Sequence, residues 1–76
     1  MNLTKCGAAV RHLRLGLGLT VQAMATRIGC TENSLQKVES NRADTSNNVI
    51  HRTCELAGIS KTEFWELHRK LDLMSK

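Results

Sequence analysis

The sequence predicts an all-α fold, a compact domain of five short helices. Three observations carry that reading. Neither Pro nor Tyr occurs among the 76 residues. No segment alternates apolar and polar residues over the length of a strand, whereas apolar residues recur at helical spacing almost everywhere. Glycines and capping residues divide those periodic stretches into lengths suited to short helices. At about half the length of a typical domain, the chain reads as one unit spanning residues 1–76.

Thr4 is the expected cap of the first helix, whose stripe is Val10, Leu13 and Leu17, with Arg14 on the same side. Gly16 and Gly18 end it. Thr20 caps a second helix with Met24, Ala25 and Ile28 inward, closed by Gly29. Thr31 caps a third, with Glu32 in its first turn complementing the helix dipole and Leu35 and Val38 inward. Asn41, which tolerates a left-handed conformation, marks its stop. The polar stretch 41–48 is the longest loop and ends with Thr45 or Ser46 as a cap. Val49, Ile50, Thr53, Cys54 and Ala57 mark a fourth helix ended by Gly58. Ser60 caps a fifth over about 60–73, with Phe64, Leu67, Leu71 and Met74 as its stripe.

Composition narrows the class. With 41 % hydrophobic and 24 % charged residues the chain is globular rather than disordered. It contains no apolar run long enough for a transmembrane helix, and its first fifteen residues carry Lys5, Arg11 and Arg14 in place of a secretory apolar core. The expected location is therefore cytoplasmic, without a membrane partner. Three cysteines, Cys6, Cys30 and Cys54, form no C-x-x-C pair and support neither a disulfide framework nor a zinc finger. A chain this short without a staple needs well-packed helices, oligomerisation, or both.

The net charge of +4 is unevenly placed. Residues 1–42 hold Lys5, Arg11, Arg14, Arg27, Lys37 and Arg42 against only Glu32 and Glu39, whereas basic and acidic residues balance over 43–76. A polyanionic partner explains that asymmetry, and so does an ordinary solvated surface.

The motif decides between them. Helices two and three are separated by Gly29-Cys30-Thr31 alone, a turn that forces a steep crossing. It needs a small residue facing the partner helix, which Ala25 supplies, and a residue able to take positive φ, which Gly29 supplies. Leu35 and Val38 provide the apolar crossing. Together with Met24 and Ile28 these form a helix-turn-helix pattern over about 20–40.

From Val10 to Phe64 the chain resembles the DNA-binding domains of the phage repressor/Cro family, XRE-like proteins with the lambda-repressor fold. The residues carrying the resemblance are Arg14, Leu17-Gly18-Leu19-Thr20, Met24-Ala25, Ile28-Gly29, Leu35, Val38-Glu39 and Leu56-Ala57-Gly58-Ile59. It implies a structural ion pair between Arg14 and Glu39. It departs from the family at Val21, where a phosphate-holding Gln is usual and Gln22 stands next, at Asn41 in place of Gly, and at Asp44 in a loop that is often basic.

With Leu35 and Val38 inward, Glu32, Asn33, Gln36, Lys37 and Ser40 face out. In a docked helix-turn-helix this helix enters the major groove. Asn33 and Gln36 suit adenine, Lys37 suits guanine, and Glu32 can accept from cytosine, so these four are the base-reading candidates. Thr31, Arg42, Gln22 and Arg11 are the backbone candidates. Arg27 serves the helix dipole and solubility. Cys30, in the turn before the reading helix, packs into the core rather than acting as a redox switch.

His12, His51 and His68 fall on three helices without zinc-site spacing, and no Ser or Cys sits on a nucleophile elbow. No metal, cofactor or catalytic site is expected, and no enzyme. Trp65 lies about 100° from the Phe64 stripe. With Leu71, Leu73 and Met74 it is the expected two-fold interface, the alternative being a ring lying on its own monomer.

These features point to a homodimeric repressor reading a pseudo-palindromic operator, and the resemblance to Cro-like proteins implies a phage, mobile element or bacterial chromosome as its source. Two rivals remain: an antitoxin-type regulator that also binds a small protein partner, and a helix-turn-helix adaptor without specific DNA binding.

Overall fold

The computed structural model describes residues 4–74, folded into α1 (Gly7–Gly16), α2 (Val21–Ile28), α3 (Glu32–Glu39), α4 (Asn47–Ala57) and α5 (Lys61–Met74). Among the described residues there is no strand. Four of the five helix starts are capped locally. Thr20 accepts from the Ala23 N–H, Thr31 from Ser34 and Ser46 from Val49. Ser60 and Glu63 form a reciprocal capping box, each side chain accepting from the other's N–H at 3.1 Å.

α1 is the exception, and corrects the expectation of a Thr4 cap. The helix begins two residues later, at Gly7, after Cys6, which makes no side-chain cap. Its first donors are met from the far side of the chain: Cys6 N–H donates to Thr45 Oγ1 (3.0 Å) and Gly7 N–H to Asn41 Oδ1 (3.1 Å). Thr4 serves through its carbonyl, which accepts from Thr45 N–H. Thr45 is thereby buried and Ser46 takes the α4 cap.

Helix ends follow backbone chemistry. Gly29 and Gly58 take the left-handed conformation at the ends of α2 and α4, and Asn41, at φ 59°, does so after α3. Leu17, expected inward, is exposed, because α1 ends at Gly16 and the following turn rotates it out. Arg14 takes the buried place instead.

The core is Cys6, Ala9, Val10, Met24, Ala25, Ile28, Leu35, Val38, Ile50, Cys54 and Phe64. α2 packs on α3, and α1 lies against α3, α4 and α5. In α5 the buried residues are Phe64 and His68, one turn apart, while Leu67 and Leu71 are half-buried and Met74 is 71 % exposed. The expected stripe thus stops short of Met74, and a histidine occupies an inward position. Among the described residues no helix is long and apolar enough to cross a membrane.

Candidate nucleic-acid interface

α3 is anchored by its inner face. Leu35 and Val38 are buried, so Glu32, Asn33, Gln36 and Lys37 are presented outward, all exposed. The Thr31 hydroxyl donates to Ser34 Oγ (2.9 Å) and accepts the Ser34 N–H, fixing the first turn. Ser34 is itself exposed, which periodicity misses because Ser34 lies one turn before Val38. The readable signal was the capping pattern Thr-x-x-Ser. Ser40 is exposed, but its hydroxyl donates back to the Gln36 and Lys37 carbonyls.

Orientation of α3 is set by one charged group. Arg14 Nε donates to Glu39 Oε2 (2.8 Å) and Nη2 to Oε1 (3.0 Å), while Nη1 donates to the Leu19 carbonyl (2.9 Å). One guanidinium therefore ties α1, the α1–α2 turn and the end of α3 together. Two parallel N–H···O bonds to a carboxylate give directional as well as electrostatic strength.

The backbone candidates surround this face unevenly. Arg11 of α1 lines a groove of about 200 Å³ with Gln36 and Ser40, directly over the Arg14–Glu39 pair. Arg42 is exposed just past α3, and its N–H donates to the Lys37 carbonyl (2.8 Å). On α2, Val21 is half-buried against the core, and the exposed side chain at this turn is the adjacent Gln22. Thr31 is exposed at the start of α3. Arg27 lies elsewhere, sharing a groove with Arg52, Glu55 and Leu56.

Cys30 is half-buried against the core, and burial pushes its thiol above the ordinary range, as it does for Cys6 and Cys54. His12 is exposed, His51 pairs with Glu55 at 3.1 Å, and His68 is buried. Among the described residues no three His, Cys, Asp or Glu side chains cluster as metal ligands.

The four expected interface residues divide between surfaces. Trp65 is half-buried, its ring edge-on to Phe64 and to His68 at centroid distances of 5.6 and 5.9 Å. Leu71 lines a separate groove against α1, beside Ala8, His12 and Leu15. Leu73 and Met74 are exposed at the end of α5. Leu15, 58 % exposed, is an apolar surface residue that the sequence pattern did not single out.

A family model described as a helix-turn-helix domain matches residues 6–67. Among curated protein sequences none matches the chain. Solved structures similar in fold include the following three. The clp gene regulator ClgR from Corynebacterium glutamicum is 21 % identical, with 95 % of this chain and 77 % of that one covered and a TM-score of 0.83. A point mutant of the restriction-modification controller protein C.Esp1396I is 19 % identical over 97 % of this chain and 96 % of that one, with a TM-score of 0.79. The restriction-modification controller protein C.AhdI from Aeromonas hydrophila is 26 % identical over 82 % of this chain and 94 % of that one, with a TM-score of 0.70.

Proposed function

The chain belongs to the helix-turn-helix domain family, and on that footing we propose that it is a DNA-binding transcription regulator, a homodimer that represses by occupying an inverted-repeat operator. The observation that carries this reading is the outward row of Asn33, Gln36 and Lys37 on a helix whose inner face and orientation are fixed by Leu35, Val38 and the Arg14–Glu39 pair. A rigid helix with amide and ammonium groups on one exposed face matches the donor and acceptor pattern of the major groove.

In this reading the exposed face of α3, from Glu32 to Lys37, lies in the groove. Asn33 and Gln36 bond adenine edges and Lys37 a guanine, with Glu32 beside them as an acceptor for cytosine. Arg42, Arg11, Gln22 and the Thr31 end of α3 hold phosphates on either side. Two subunits set half-sites about 34 Å apart, one turn of the duplex. Dimer concentration and operator affinity then determine how often polymerase is excluded. The regulator and controller functions of the similar proteins support the assignment.

Selection from random duplexes at two salt concentrations tests it. Enrichment of an inverted repeat at both is the expected result. Enrichment of nothing, with binding that disappears as salt rises, refutes base reading and leaves a protein-contact adaptor in its place.

A further inference from the structure

The side of α5 turned away from the core carries a charge pattern that complements itself. Thr62, Glu66, Arg69 and Leu73 are spaced by four, three and four residues, which sets them in one row along the helix. All four are exposed, while buried Phe64 and His68 and half-buried Leu67 and Leu71 occupy the opposite side. Neither Glu66 nor Arg69 makes an ion pair among the described residues. Thr62, Glu66 and Arg69 line a groove of about 300 Å³ with Trp65, and Leu73, 66 % exposed, continues the row.

The row is symmetric about a point between Leu67 and His68. Glu66 and Arg69 are equally distant from that point, and so are Thr62 and Leu73. In a two-fold interface every contact is made twice, residue i with j and j with i. Two antiparallel copies of α5 related by an axis at that point set Glu66 of each against Arg69 of the other, and Leu73 over the Thr62 methyl. A parallel pairing sets like charge on like. The two Trp65 indoles then fall on the same edge of the seam, about 7.5 Å apart along it at 1.5 Å rise per residue.

We infer that α5 docks on a second copy of this chain in that antiparallel register, with reciprocal Glu66–Arg69 ion pairs. The inference rests on the homodimer proposed above and names its face. Exposed ion pairs contribute little free energy singly, so Leu73 and Trp65 supply the buried apolar area and the charges select the register. The competing apolar surface, around Leu15 and Leu71, is lined by Arg11, His12 and Glu39, with Glu39 already committed to Arg14, and Asp72 lines the adjoining groove with Leu71, so no row of opposite charges there pairs with itself.

Charge reversal in the 76-residue chain tests this by sedimentation equilibrium, with circular dichroism to verify folding. E66R and R69E should each weaken dimerisation by about tenfold or more, because each homodimer then contains two like-charged contacts. An equimolar mixture of the two should recover the wild-type affinity as a heterodimer, which intrahelical effects cannot produce. Bulk net charge predicts something different, a weaker E66R dimer and a stronger R69E dimer, and that result overturns the proposal. So does a wild-type dimer indifferent to both reversals, above all one dissociated by Leu15→Asp. A wild-type chain monomeric at every concentration, free and on DNA, refutes the homodimer itself and is distinguishable from failure of this face.

Discussion

Arg14 and Glu39, 25 residues apart, close a bidentate ion pair with side chains only 11 % and 8 % exposed, and it is the joint that holds α3 against α1. Removing one partner leaves the other charge buried and uncompensated, at a cost of about 3–5 kcal/mol. That is a large share of the total stability of a domain this size, about 4–11 kcal/mol. Glu39→Ala should therefore lower the urea midpoint sharply. Arg14→Met combined with Glu39→Leu should recover most of the loss, since an apolar pair needs no charge compensation. A double-mutant cycle showing strict additivity would remove the pair's structural role.

Two glycines of α1 should respond in opposite directions to alanine. A Cβ on Gly7 would collide with the Val38 carbonyl oxygen and lie 2.7 Å from both Asn41 Oδ1 and the Glu39 carbonyl oxygen. Backbone atoms cannot yield cheaply, so Gly7→Ala should cost about 1–3 kcal/mol. A Cβ on Gly16 meets nothing within 4 Å and the residue has no positive φ. There the gain in helix propensity should dominate, about 0.5–1 kcal/mol. Thermal denaturation of the two variants side by side reads both signs.

That contrast marks what was legible in the sequence. Thr20, Thr31 and Ser60 declare their helices because capping is chemistry between residues two or three apart, and Gly29, Asn41 and Gly58 declare the ends through backbone sterics alone. The outward face of α3 follows from Leu35 and Val38. The start of α1 was not legible, because its donors are satisfied by Asn41 and Thr45, more than thirty residues away. Gly7 resembles any helix glycine until α3 is laid across it. The groove joining Arg11 to Gln36, and the inward turn of His68, likewise depend on which helices neighbour one another.

The cysteines make stability pH-dependent on the alkaline side. Burial raises the thiols of Cys6, Cys30 and Cys54 above their ordinary value of 9.0, with Lys61 partly opposing and Glu63 reinforcing the effect at Cys54. The folded state thus holds these protons more tightly than the unfolded chain. Their contribution is complete below the ordinary thiol value and is lost as pH rises through it toward the folded value. Urea midpoints should fall as pH rises above about 9. Cys6→Ala should flatten that decline, whatever it costs in packing, and an equally steep decline would exclude the thiol as its source.

Thr53 is fully buried and its hydroxyl has no hydrogen-bond partner among the described residues. An unsatisfied buried hydroxyl carries its desolvation penalty without return, about 1–3 kcal/mol. Thr53→Val keeps the shape and removes the penalty, so it should stabilise by about 1 kcal/mol and raise the melting temperature by about 4–8 °C. Thr53→Ser keeps the hydroxyl and loses a methyl, and should melt lower than the wild type. A Val variant that also melts lower would mean that the hydroxyl is satisfied in solution.

Lys37 and Arg42 should divide along the line between reading and holding. Both are exposed cations at the end of α3, but Lys37 projects from the helix face beside Gln36, whereas Arg42 follows the left-handed Asn41 with its N–H bonded back to the Lys37 carbonyl. Under the proposed docking, Lys37→Ala removes a base contact and should cost about 1–3 kcal/mol at a single operator position, relaxing preference there alone. Arg42→Ala removes a phosphate contact, so every sequence should weaken alike and the salt slope should fall by about one. Binding titrations on the selected operator and a scrambled duplex, each at several salt concentrations, separate the two. If Arg42→Ala changes preference at one base while Lys37→Ala weakens all sequences equally, the two roles are reversed and α3 docks deeper at its C-terminal end than its exposed amides suggest.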